Sequence, residues 1–218
     1  LLEKIPMGRK LRLGRAPRPM AGGPRIVTEM RETQQTQLAM ALPGTSHHDP
    51  RRYAVQVLNV ILGGNASSRL FQELREKRGL CYSVSTHPVS HADSGMFNLS
   101  LGLEQRNVST SLQLICEAFE LLKTKGIRPA ELKRAKEYTV GTSRMALERI
   151  STQNMRMGGS VLVHGKIIDP EDAHRRLRAV TEEEVLEVAC EILTPERASV
   201  AVIGPSPDAT AITQILKR

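Results

Sequence analysis

Six histidines and three cysteines are the side chains in this 218-residue chain most suited to hold a metal or a reacting atom. A metallopeptidase centre needs two imidazoles on one helical face with a carboxylate base beside them. Neither His-Glu-x-x-His nor its inverse, His-x-x-Glu-His, occurs at His47, His48, His87, His91, His164 or His174. His87 and His91 stand four apart, but Pro88 and the strand-like alternation around them remove the helix that would aim both at one ion. They read as exposed loop histidines. Cys81, Cys116 and Cys190 are odd in number and lack a Cys-x-x-Cys pair, which suggests neither a zinc knot nor a disulfide framework. Cys116 and Cys190 fall on apolar helical positions and are expected to be small buried hydrophobes. Gly63-Gly64-Asn65-Ala66-Ser67-Ser68 lacks the lysine of a phosphate-binding loop and does not follow a strand, so it reads as a loop with Ser67 or Ser68 capping a helix. No Gly-x-Ser-x-Gly elbow is present. On its residues alone the chain has no self-contained catalytic centre.

The elements that would position any such chemistry are legible from periodicity. Arg25 to Met30 reads as a short edge strand. From Thr33 to Leu42 the chain alternates, with Thr36, Leu38, Met40 and Leu42 on one face. Asp49-Pro50 caps a helix whose apolar stripe holds Tyr53, Val57 and Val60 and which Gly63-Gly64 ends. A second helix carries Leu70, Phe71 and Leu74 to a left-handed stop at Gly79. Two strands follow, Leu80, Tyr82, Val84 and Thr86 sharing one face of the first and Phe97 to Leu103 forming the second, joined by a long loop from Pro88 to Gly95. Val108 to Leu122 repeats at three and four and stops at Gly126. Pro129 opens a long helix that Gly158-Gly159 should end or bend. Asp169-Pro170 and the capping box Thr181 to Glu184 begin two more helices. Ala198 to Ile203 is a last strand, followed by a helical turn or two. Strands early, helices in the middle and one strand late predict an α/β (α+β) two-layer sandwich: a mixed, largely antiparallel sheet with helices on one face.

The formal charge of +8 is unevenly placed: residues 1–25 carry +6 of it, with Arg12, Arg15 and Arg18 among many Pro and Gly. Residues 1–24 therefore read as a basic linker and 25–218 as the domain, ordered to about residue 205. Aromatic residues make up 3% and tryptophan is absent, which argues against a nucleic-acid partner. An interaction module whose basic tail carries the function is the competing reading. No apolar run approaches the ~18 residues of a membrane span. Leu1-Leu2-Glu3-Lys4 resembles no signal peptide and is expected to be a cut through a longer chain, leaving cytoplasm, periplasm or an organelle open.

One stretch carries more. Leu62-Gly63-Gly64-Asn65-Ala66-Ser67-Ser68-Arg69-Leu70-Phe71-Gln72-Glu73-Leu74-Arg75-Glu76-Lys77-Arg78-Gly79-Leu80-Cys81-Tyr82 closely resembles the segment typical of the carboxy-terminal half of pitrilysin-like, or insulinase-like, zinc peptidases (family M16), which include the mitochondrial processing peptidases and insulin-degrading enzyme. The resemblance covers roughly residues 26–205. It implies a two-half protein enclosing a chamber, a metallohydrolase-like half fold, and zinc bound by the missing amino-terminal half through an inverted His-x-x-Glu-His motif, with no metal in this chain. It also implies an Arg and a Tyr supplied by this half to bind or polarise substrate near the scissile peptide; Arg75 and Tyr82 match those positions. The expected partners are the homologous amino-terminal half or a partner subunit, and a peptide substrate.

The expected function is thus the substrate-binding, site-completing half of a zinc metalloendopeptidase, inactive by itself. The alternative is a non-catalytic assembly subunit of a processing-peptidase-like heterodimer. Physically, a guanidinium and a phenol brought to one sheet end by the Gly79 turn could donate hydrogen bonds to a carbonyl gaining charge. From pattern alone, Arg75 reads as a solvated helix residue paired to Glu76 or to a neighbour such as Asp172, and Tyr82 as a residue packed in the sheet core.

Overall fold

In the strand Thr36–Pro43 (β2) every second side chain, Thr36 and then the apolar Leu38, Met40 and Leu42, is buried, while the residues between are more exposed, the signature of a sheet covered on one side. The computed structural model describes residues 22–217. Within them five strands, β1 (Arg25–Met30), β2, β3 (Cys81–Ser90), β4 (Gly95–Leu103) and β5 (Ser199–Gly204), form one sheet in the order β1-β5-β2-β4-β3. β1 runs parallel to β5, and all other pairs are antiparallel. The helices are α1 (Arg52–Leu62), α2 (Val108–Lys125), α3 (Pro129–Leu147), α4 (Ile150–His164), α5 (Pro170–Ala179), α6 (Glu182–Ile192) and α7 (Ala209–Leu216). The inner sheet face, with Leu38, Met40, Phe97, Leu99 and Val202, forms one core with the apolar faces of α1, α2, α6 and α7. Burying each such side chain contributes about 1.5–3 kcal/mol. The predicted two-layer, mixed sandwich is the observed fold.

Two caps follow their sequence signals: Asp169 accepts from Glu171 N–H, and Thr181 and Glu184 form a reciprocal capping box. Asp49 does not cap α1, whose N-cap is Arg51; its carboxylate accepts from the Arg51 N–H at 2.8 Å in the turn before the helix. Gly63 closes α1, and its carbonyl accepts from Thr86 N–H of β3. A Cβ on Gly63 would come within 2.7 Å of the Thr86 side chain, so the helix end can meet the strand only where a side chain is missing.

Four further expectations are corrected. Pro88 to Ser90 continue β3, and the hairpin turn is confined to residues 91–94. Gly158-Gly159 neither ends nor breaks its helix; the break falls at Glu148-Arg149, and the pair lies inside α4, since an isolated glycine lowers helix propensity without forbidding the helix. Cys190 is exposed, because α6 buries the stripe of Val185, Val188, Ala189 and Ile192 and turns position 190 outward. Neither Ser67 nor Ser68 caps a helix through its hydroxyl. The Asn65 side chain accepts from Ser67 N–H in the turn ahead of the helix, and the Ser68 hydroxyl is buried without a hydrogen-bond partner among the described residues. The basic linker assigned to residues 1–24 lies outside the described residues as far as residue 21.

Candidate functional site

After Asn65 the chain enters a π-helix, Phe71–Lys77, a form that occurs mostly as single turns and often at functional sites. Leu74 is its buried anchor. Gly79, at φ +60°, takes the left-handed conformation expected of it and reverses the chain: its N–H donates to the Arg75 carbonyl at 3.1 Å, and the Leu80 N–H donates to the Leu74 carbonyl at 2.8 Å. Upstream, Arg69 grips α3. Its guanidinium makes two 2.9 Å bonds to the Glu131 carboxylate and a third to the Gly126 carbonyl. Burial would push the Glu131 carboxyl up, but the bonds from Arg69 outweigh it and hold the group below the usual carboxylate range.

Arg75 is exposed and sits over the Phe71 ring at 4.9 Å, a cation–π contact across one turn. Its neighbours Lys77 and Arg78 both pair with Glu73. Among the described residues Arg75 forms no such ion pair, so the expected pairing with Glu76 or Asp172 is absent.

At Tyr82 the sequence reading of the strand is wrong. Cys81 pairs with Leu103, and Ser83 pairs with the adjacent Gly102, leaving Tyr82 as the extra residue of a β-bulge. A bulge lets two consecutive residues face the same way and re-aims a side chain. Cys81 therefore points into the core with Val84 and Thr86, while Tyr82 is 52% exposed on the opposite side. Its hydroxyl donates to Glu104 Oε1 at a long 3.4 Å, and the same carboxylate holds Arg106 at 2.7 Å through Oε2. Burial raises the pKa of the Cys81 thiol, and the positive charge of Arg75 acts against it. The π-helix that carries Arg75 packs against β3 and leads through the Gly79 turn into its first residues, where Tyr82 lies.

Among the described residues no three His, Cys, Asp or Glu side chains converge as metal ligands do, so these residues do not fit a zinc site. His87 and His91 are exposed on and beyond β3. Sequence reasoning missed two histidine arrangements. The His48 and His164 rings meet edge to face at 5.5 Å, and His174 is buried against Ser143 and Glu171. The His48–His164 and His174–Ser143 contacts join residues far apart in the chain, so no local spacing signals them; only Glu171, three residues before His174 on α5, is a local partner.

Residues 2–138 match the family model described as "Peptidase M16 inactive domain". The chain belongs to the peptidase M16 family, as its inactive carboxy-terminal domain. Among curated relatives, a protein named an uncharacterized zinc protease from Streptomyces coelicolor is 36% identical over 181 residues, 83% of this chain and 39% of its own. One of the same description from Bacillus subtilis is 35% identical over 180 residues, covering 83% of this chain and 44% of that one. In structure the M16 inactive domain from Pseudomonas fluorescens superposes with TM-score 0.79 at 25% identity, over 93% of this chain and 48% of that one. A conserved protein from Enterococcus faecalis does so with TM-score 0.75 at 23% identity, over 95% and 49%. This M16 domain spans less than half the length of each of these four relatives. No helix among the described residues is long and apolar enough to cross a membrane.

Proposed function

We propose that this M16 domain is the substrate-binding, site-completing half of a zinc-dependent metalloendopeptidase that cleaves peptides or unfolded segments. The observation that carries this reading is the bulge that turns Tyr82 out of the core at the start of β3, just after the π-helix on which Arg75 lies without a carboxylate partner among the described residues. Two donors presented to solvent in this way can hydrogen-bond a substrate carbonyl. The phenol supplies one O–H, and the guanidinium supplies a fork of N–H groups that also holds charge. Their contribution grows as the carbonyl oxygen becomes more negative, which is how such donors accelerate acyl chemistry. Zinc belongs to the companion half in this reading and supplies Lewis-acid chemistry when bound there. The residues of this chain bind and orient the peptide, and closure of the two halves brings them to it. Glu104, the resting acceptor of the Tyr82 hydroxyl, gives up that weak bond to the substrate.

The test is steady-state kinetics of Tyr82→Phe and Arg75→Ala in the complete two-half protein, with zinc content and melting temperature as controls. Tyr82→Phe keeps the ring and is expected to lower kcat about 10²-fold or more with the fold intact. Arg75→Ala should damage both kcat and KM. A kcat/KM within twofold of the parent for Tyr82→Phe would make Tyr82 a surface residue and favour the non-catalytic assembly reading.

A further inference from the structure

Helix α4 is turned the wrong way for a surface helix. Its side toward the rest of the chain is a stripe of Thr152, Arg156, Ser160 and Val163, half-buried at best. Its large apolar residues point away: Ile150 is 83%, Met155 78% and Leu162 88% exposed, with Met157 and Val161 also open. No residue of α4 is buried. Of thirteen exposed large hydrophobic side chains among the described residues, seven fall between Met145 and Ile167. Scattered exposed hydrophobics need no explanation, whereas a contiguous set marks an interaction surface.

The glycines say what kind of contact it is. Met155, Gly158, Gly159 and Leu162 share one stripe at helical spacing, and a Cβ on either glycine would meet nothing within 4 Å. Two glycines inside a helix cost about 0.5–1 kcal/mol each relative to alanine. Nothing among the described residues packs on these glycines to offset that cost, and a flat strip between two apolar knobs is suited to close approach of another backbone. The charge is one-sided as well: residues 149–168 contain Arg149, Arg156 and Lys166 and no Asp or Glu.

We infer that the outer face of α4 is the docking surface for the companion half, which seats an apolar patch with an acidic rim on Met155, Gly158, Gly159 and Leu162. That occupant is favoured over a second copy of this chain by length: relatives match the domain over 39% and 44% of their own residues, leaving more chain unaccounted for than this domain contains. It is also favoured by charge, because two copies would set the exposed Arg149 and Lys166 at the ends of α4 against their like. The inference rests on the reading that this half works with a companion, but not on the roles of Arg75 and Tyr82.

The companion half, expressed from the remainder of the full-length sequence, is titrated against this chain and against Leu162→Glu and Gly159→Leu. Both substitutions are on open surface, so the chain's own melting temperature should not fall. The expected result is at least tenfold weaker association for each variant, with amide hydrogen exchange across residues 150–164 slowed by the companion in the parent. Parent and variants binding alike within twofold, or no slowing across α4, overturns the α4 assignment and leaves the proposed function standing. Absence of binding by the unmodified chain overturns both. A parent that self-associates through α4, with Leu162→Glu abolishing the self-association and leaving companion binding unchanged, overturns it in favour of a homodimer.

Discussion

Arg75 differs from the cations on either side of it in pairing with no acid among the described residues. Glu73 takes both Arg78 and Lys77, whose bonds hold its carboxyl below the usual range, and this leaves the Arg75 guanidinium resting on a ring. Such a contact at an exposed site contributes about 0.5–1 kcal/mol, little enough for a substrate carbonyl or carboxylate to displace. The cysteines divide as sharply. Burial raises Cys81, burial together with Glu120 pushes the Cys116 thiol to about 11, and Cys190 lies on the surface. Because the thiolate is the reactive form, a thiol-specific reagent at pH 8 should consume one fast equivalent in the native chain. Cys190→Ser should abolish that phase. Two or three fast equivalents would mean that the core opens more readily than its packing implies.

At the scale of elements, the ion pair of Arg69 and Glu131 is the clamp between the loop ahead of the π-helix and the start of α3. Glu131 is only 8% exposed at its side chain, and removing one member of a buried pair typically costs about 3–5 kcal/mol. Arg69→Ala is therefore expected to lower stability by about 3 kcal/mol in denaturant titration. A loss under 1 kcal/mol would show that water readily replaces the guanidinium. Strand β2 shows how far periodicity reaches: alternate burial of Thr36, Leu38, Met40 and Leu42 was readable because nothing interrupts the pleat. The same reading placed Tyr82 with Val84 on the core face, and it failed because one unpaired residue at the bulge shifts everything before it to the other side. No residue type announces that insertion, since it is set by how β3 meets β4. The break between α3 and α4 was hidden for a related reason: the two glycines after it are stronger local signals than Glu148-Arg149, yet tertiary packing decides where the chain turns. The candidate pair was legible only through the resemblance of residues 62–82; its exposure came from the bulge.

For the molecule as a whole, pH acts at the junction of the α1 approach and the end of α4. Burial there, followed by the charges of Arg52, His48, His47 and Lys166, holds the His164 imidazole below its ordinary value of 6.5. The unfolded chain then binds this proton more readily than the folded one. The stabilising effect of the neutral ring is full above pH 6.5 and is lost as the pH falls below it. Melting temperature should drop between pH 7 and 5.5 more steeply for the parent than for His164→Asn, after subtraction of the slope common to both. Equal slopes would remove His164 from the account.

The position of β5 has a consequence for synthesis. Strand β1 pairs with β5 alone among the described residues, and β5 also fills the gap between β1 and β2. A nascent chain that has emerged only as far as α6 holds its first strand with no partner and presents the bare side of β2 to whatever strand comes near. Long-range pairing of this kind is slow and exposes edges that other chains can join. Products truncated before Ser199 should therefore be substrates for chaperones and quality-control proteases rather than shorter versions of the same domain, and the sheet becomes continuous only once β5 has left the ribosome.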